Sequence, residues 1–500
     1  MNKKPSIKAV FLLSAFFAIQ MLCYAQNTQA AYPRLEPDPK ALEFHDIAAR
    51  NPDLSWTDLA ELSLWASGDI SLSNMQKIRD AVSMLNNSSS LPSSGREKAE
   101  YILEYLYINI LKTYSLNQTR LDTVFSNGRY NCVSSAVLYA ILCKAAGINT
   151  SGVVTREHAF IIVHINGQDI DVETTNRYGF EPGNRREFHD QFGRLTGFSY
   201  VPSQNYRDRQ TINQIELISL ILNNRIAELE RANRFSEAVP LAIDRAVMLL
   251  GSSVADNNYQ SADTIFENPK KDLIDRLINY GASILRANRE EECLNWAYAA
   301  SSKYPDPGRW QELIMAATNN RIARFIKDRR PADARIFLEN NAFLLSRENY
   351  LQIDAMLLDA ELLHRANNIR TAQEGYGVVN DITAAKQNAK IPDRRAVEIL
   401  TFAVQKTAAI LCAAPDMNWR AAINYIETVL SLYGSSRELE QNLQIYRGNL
   451  AADYHNRFAA EWNKRNFEEA EHILNEGLAE FPDNRQLLSN REIVNRQNSR

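Results

Sequence analysis

Five hundred residues exceed what a single ordinary core organises, so the chain is expected to hold two to four domains. It is 45% hydrophobic and 23% charged, and its 18 Gly and 16 Pro argue against a turn-rich β architecture and for a helical majority. A net charge of −4 lacks the basic surplus of a nucleic-acid-binding protein.

The first expected element is a signal peptide, residues 1–25. Lys3, Lys4 and Lys8 form a positive start, Ala9 to Ile19 is an apolar run, and Ala25 supplies the small residue at a cleavage site. Removing those three lysines takes the net charge from −4 to −7. Cys23 follows a Leu, so it makes a poor lipoprotein signal. The protein is therefore expected to be exported, periplasmic or secreted, rather than anchored, and no later stretch reads as long and apolar enough to span a bilayer. In the oxidising compartment that export implies, Cys132, Cys143, Cys293 and Cys412 are too irregularly spaced for a disulfide framework. Cys143 reads as a small buried hydrophobe.

Residues 26–95 are expected to form a helical extension packed on the core. An extended, proline-containing leader comes first. Ser55 then opens a helix with Leu59, Leu62, Leu64 and Trp65 on its apolar face, and the polar run from Asn86 to Gly95 reads as a loop. A domain of residues 96–210 comes next. It starts with an amphipathic helix over 96–114, with Ala99, Ile102, Leu103, Leu106 and Ile110 in register. A second helix runs from Cys132 to Ala146 and stops at Gly147. Strands follow at 151–155, 158–165 and 168–174, the last two joined by Asn166-Gly167, the preferred pair for a type I′ hairpin. From 211 to 500 the pattern is helical throughout. Gly281, Ala300 and Pro305, and again Ala470, Leu474, Gly477 and Pro482, fall where a 34-residue helix–turn–helix repeat puts its small and proline residues.

The chemistry concentrates on three residues. Asn131 is a good N-cap, which puts Cys132 in the first helical turn, where free N–H groups and the helix dipole favour a thiolate. His158 opens a strand. Pairing across the Asn166-Gly167 turn sets Ile165 opposite Gln168 and His158 opposite Thr175, so Glu173 is the diagonal neighbour of His158 and Asp171 lies a step further off. A carboxylate there can orient an imidazole that activates the thiol, giving a Cys132–His158–Glu173 constellation with Asp171 as the alternative third member. The Cys132 N–H is a natural first oxyanion donor, and the sequence identifies no second. Tyr130 and Asn131 are candidates to line the site, Arg156 and Glu157 to form its rim, and Thr175, Asn176, Arg177 and Tyr178 to shape the cleft. Among the remaining histidines no pair has metal-ligand spacing on one element, so neither a metal nor a cofactor is expected.

With its "YNC", "HAF" and "DVETTN" segments, this region resembles the transglutaminase-like superfamily, in which a helix carries Cys, one strand His and the next strand Asp. Here Glu173 stands where the family carries Asp. The resemblance implies a papain-like α+β fold and acyl-enzyme chemistry on amides; no EF-hand-type acidic loop of the calcium-dependent crosslinkers is visible. The 211–500 region resembles degenerate tetratricopeptide repeats. The expected architecture is therefore an α+β papain-like/transglutaminase-like domain followed by an all-α helical-repeat solenoid. The expected function is an exported thiol hydrolase or acyltransferase acting on peptide or glutamine amides. Its expected partners are a protein or peptide substrate at the thiol and a protein on the repeats, with no nucleic acid and no membrane span after signal cleavage. The alternative is a non-catalytic scaffold that keeps a retired thiol domain.

Overall fold

The protein is described by a computed structural model covering residues 32–51, 53–155, 158–183, 209–255, 268–413, 417–434 and 436–498, together with Phe188, Gly193 and Arg194. The expected signal peptide and the expected rim residues Arg156 and Glu157 lie outside the described residues. The chain divides into two compact units, 1–317 and 318–500, so the expected boundaries at 95/96 and 210/211 both fall inside the first.

In the first unit the leader is tied down by the buried Asp244 carboxylate, which accepts from the Arg34 guanidinium and from the Asp38 N–H. Helices α1 (Pro39–Arg50), α2 (Trp56–Ser67), α3 (Leu72–Asn86) and α4 (Gly95–Asn109) follow. Ser55 caps α2 through a reciprocal box with Asp58. The expected helix over 96–114 ends early, at Asn109. The Lys112 and Thr113 N–H groups turn away to the Gly128 carbonyl, and β1 (Thr113–Tyr114) pairs in parallel with β2 (Arg129–Tyr130). A short α5 (Leu121–Asn127) lies between them and stops at Gly128, whose φ of 68° a side chain tolerates poorly. Then come α6 (Cys132–Ala145) and the strands β3 (Asn149–Val154), β4 (Ala159–Ile165), β5 (Gln168–Val172) and β6 (Gln210–Ile212). These four form an antiparallel sheet in the order β5-β4-β3-β6. The hairpin register pairs Ile165 with Gln168, and Asn166 (φ 50°) and Gly167 (φ 78°) both take the left-handed backbone of a type I′ turn. Helices α7 (Gln214–Arg231), α8 (Phe235–Leu250), α9 (Pro269–Arg286) and α10 (Glu290–Lys303) extend the unit, and α11 (Pro307–Lys327) runs across its limit.

The expectation of an α+β papain-like/transglutaminase-like domain, with an all-α repeat solenoid after it, is not met. Of the described residues 73% are helical, the sheets are small, and no N-terminal papain-like α+β domain is evident. The physical reason lies in the core. One continuous apolar cluster runs from Phe44 and Leu59 in the N-terminal helices through α6 and the strands to Ile221 and Met248 in α7 and α8. Helices before and after the strands bury the same surface, so the sheet is a minor element of a helical body. A hydrophobic pattern read segment by segment finds the strands but not the helices that share their core.

The expectation that no later stretch is long and apolar enough to span a bilayer is corrected: Phe235–Ala255 has the length and, over an 18-residue window, the mean hydropathy (1.4) of a membrane span, and 61% of that window is buried inside the protein. Ala238, Val239, Ile243 and Val247 point into the fold, and the helix carries the Asp244 that anchors the leader.

The second unit contains α12 (Pro331–Asn341), α13 (Arg347–Asn367), α14 (Ala372–Gln387), α15 (Asp393–Leu411), α16 (Trp419–Tyr433), α17 (Arg437–Asn463), α18 (Phe467–Glu480) and α19 (Arg485–Asn498) around a core of its own. In both units helix pairs are joined by one recurring turn. Asn233, Asn288, Arg329, Ala389 and Arg465 sit at φ between 51° and 61°, and the next residue's N–H closes back onto the preceding helix. These positions do not fall at a constant interval. Gly281 and Gly477 do lie at close contacts: a Cβ would meet Leu313 and Trp296 in the first case and Tyr454 and Leu487 in the second.

Candidate functional site

Asn131 adopts extended backbone (φ −125°, ψ −172°) before α6. Its carboxamide oxygen accepts from the Ser134 N–H at 3.0 Å, while the Ser134 hydroxyl accepts from the Asn131 N–H at 2.9 Å. Asn131 also donates through Nδ2 to the Leu116 carbonyl. This two-way cap makes Cys132 the first helical residue, with a partly exposed side chain and a backbone N–H that the helix itself leaves unpaired. The other described cysteines have a different character. Cys143 and Cys293 are fully buried, and burial pushes the Cys143 thiol up and that of Cys293 to about 12. Burial raises Cys412 to about 11.

His158 precedes β4. Its carbonyl accepts from the Thr155 N–H at 2.9 Å. The ring is 8% exposed and stacks at 24° on Phe160. Its Nε2 lies 2.6 Å from Oε2 of Glu173, and the Cys132 thiol is its other polar neighbour. Burial pulls the imidazole toward neutrality. The Glu173 charge and the Cys132 thiol outweigh it, and His158 is held well above its ordinary value of 6.5.

Glu173 is 1% exposed. The strand ladder ends at Ile161–Val172, so Glu173 and Thr175 are not paired with His158 as strand residues. Instead the chain turns sharply: the Glu173 N–H donates to Gly179, Gly179 donates back to Asn176, and Val172 bridges Phe180. The turn lets Thr175 donate both its N–H (3.2 Å) and its hydroxyl (2.7 Å) to Oε1 of Glu173, leaving Oε2 for the imidazole. Behind it, Tyr107 donates to the Thr174 carbonyl at 2.9 Å and Ser135 shares a hydrogen bond with the Thr174 hydroxyl. The alternative carboxylate, Asp171, faces elsewhere. It lies opposite Ile162 and is gripped by both terminal nitrogens of Arg209, at 2.7 and 2.6 Å. His164, paired with Ser151 and Asp169, sits toward the hairpin tip, remote in the ladder from His158.

The structure thus brings Cys132, His158 and Glu173 together and leaves Asp171 out. Tyr130 is buried at the back of the site, 3.2 Å from the Tyr107 hydroxyl, and Asn131 acts as the cap. One contributor went unread in the sequence: Tyr107 lies on a helix whose periodicity says nothing of Thr174, whose carbonyl it meets. Among the described residues no group of three His, Cys, Asp or Glu is placed to hold a metal ion.

No family model matches the chain, and no curated protein matches its sequence.

Proposed function

We propose that this protein is an exported thiol hydrolase or acyltransferase that attacks amide carbonyls through Cys132, with His158 as proton carrier and Glu173 as the group that orients it. The observation that carries this reading is the buried Nε2–Oε2 contact of 2.6 Å between His158 and Glu173, set against a partly exposed thiol at a helix start. A buried, charged His–Glu pair costs desolvation and is a poor way to stabilise a core, so its position beside a partly exposed thiol at a helix start favours chemistry over packing. The order of the three groups along the chain is that of the transglutaminase-like superfamily, and the reading rests on that order and on the side chains, not on a papain-like fold. In the proposed cycle the thiolate forms a bond to the carbonyl carbon and His158 delivers its proton to the departing amine. Water or a second amine then displaces Cys132. A peptide or a glutamine side chain is the proposed substrate, with water as the default acceptor. The helical hairpins are proposed to bind the protein substrate or a partner. Export is proposed from the N-terminal sequence alone.

The test is the rate of iodoacetamide alkylation at Cys132 against pH, followed by mass spectrometry, in the mature protein and in His158→Ala. The expected result is alkylation of Cys132 that is faster than that of Cys412 and falls at least tenfold in His158→Ala. A Cys132 that reacts no faster than Cys412 and ignores His158 would make the protein a scaffold with a retired thiol site.

A further inference from the structure

A tetrahedral intermediate at Cys132 needs two donors for its oxyanion, and the helix start supplies one, the Cys132 N–H. A candidate for a second lies in a part of the chain that the local pattern assigns to a helix. The β1–β2 ladder pairs Tyr114 with Tyr130, two residues before Cys132, and the Ser115 N–H locks the register by donating to the Tyr130 carbonyl at 2.7 Å. The Tyr114 ring meets Tyr130 edge to face, with centroids 5.9 Å apart, and its side chain is only partly covered. Its hydroxyl is nevertheless buried and has no hydrogen-bond partner. A buried donor without a partner costs about 1–3 kcal/mol, and native structures retain few of them.

We infer that Tyr114 is the second oxyanion donor, its hydroxyl held unpaired to receive the carbonyl oxygen of the substrate as Cys132 attacks. This rests on the thiol reading above. When the Sγ–C bond forms, the carbonyl π pair moves onto oxygen and is met by the Tyr114 O–H and the Cys132 N–H. When the pair returns, the C–N bond breaks and the leaving amine takes its proton from His158. Burial, and then the nearby Cys132 and Glu173 charges, push the phenol upward, which keeps it protonated and a donor throughout the working pH range. The buried Asn176 Nδ2 also lacks a partner, but it belongs to the turn that carries Glu173 and not to the ladder that leads to Cys132.

The experiment compares the mature protein with Tyr114→Phe, which keeps the ring and removes only the unpaired hydroxyl. Two probes separate the roles. Iodoacetamide alkylates the thiol at a saturated carbon and forms no oxyanion. p-Nitrophenyl acetate acylates it through a tetrahedral oxyanion and releases p-nitrophenolate. In Tyr114→Phe the expected alkylation rate is within twofold of the parent, acylation falls roughly 10²-fold, and the melting temperature is unchanged or higher. Acylation within twofold of the parent overturns the inference while leaving the thiol reading intact. So does a parent protein whose His158-dependent thiol is alkylated but never acylated. A Cys132 whose alkylation ignores His158 overturns the thiol reading itself, and Tyr114 with it.

Discussion

Glu173 divides its two oxygens between partners, Oε1 to Thr175 and Oε2 to His158, so the carboxylate is both clamped and committed. The sign of its pH effect follows from His158. A histidine held above 6.5 in the folded state contributes stability that is complete below about pH 6.5 and is lost as the pH rises through the raised value. Glu173→Gln removes the charge that holds it up. Its cost is expected to be about 1–3 kcal/mol by urea denaturation at pH 6 and to shrink at alkaline pH, with the His158 proton resonance titrating at lower pH. An equal cost at both pH values, with an unmoved resonance, would mean that the pair is not charged. In the sequence, the choice between Glu173 and Asp171 rested on a diagonal across an ideal strand pair. The structure sets Glu173 beside His158 by other means, a turn that frees Glu173 and an Arg209 that occupies Asp171.

At the scale of elements, the turn 173–180 sets where the acid stands. A Cβ on Gly179 would lie 1.9 Å from the Glu173 carbonyl oxygen, and that obstacle is backbone, which cannot swing aside. Gly179→Ala is expected to cost more than about 3 kcal/mol and to slow Cys132 alkylation, because the carboxylate moves with the turn. Gly167→Ala is the comparison: its φ is 78° but nothing lies within 4 Å, so only the left-handed backbone penalty of about 1–2 kcal/mol is expected, with alkylation unchanged. Equal effects from the two substitutions, read by urea denaturation and mass spectrometry, would remove the turn from the site. The hairpin was legible because Asn166-Gly167 carries its own geometry. The turn after it was not, because Gly179 matters through a contact six residues away and not through a positive φ.

Across the whole molecule each unit buries a core of its own, with Leu59, Ile102 and Ile161 in the first and Ile382, Ile399 and Ile426 in the second. In the second, α14 and α15 approach so closely at Gly375 that a Cβ would fall 1.9 Å from Oγ1 of the fully buried Thr407. Gly375→Ala is expected to lower one calorimetric transition by several degrees and to leave Cys132 alkylation at its parent rate. A single transition that moves together with lost alkylation would show that the two cores unfold as one.

The amino-acid sequence by itself determined what is local. Ser55 and Asn131 start helices through their own side chains, Asn166-Gly167 sets the hairpin register, and the helical majority follows from low Gly and Pro content. Those local rules also set the helix-start cysteine and the hairpin on which His158 and Glu173 depend. Only the tertiary structure decided the end of α4 at Asn109, the pairing that carries Tyr114 to Tyr130, the capture of Asp171 by Arg209, and the core that helices and sheet share. Each of these is a contact between segments far apart in the chain. Loop closure and competing burial settle such contacts, and neither leaves a period or a cap in the sequence.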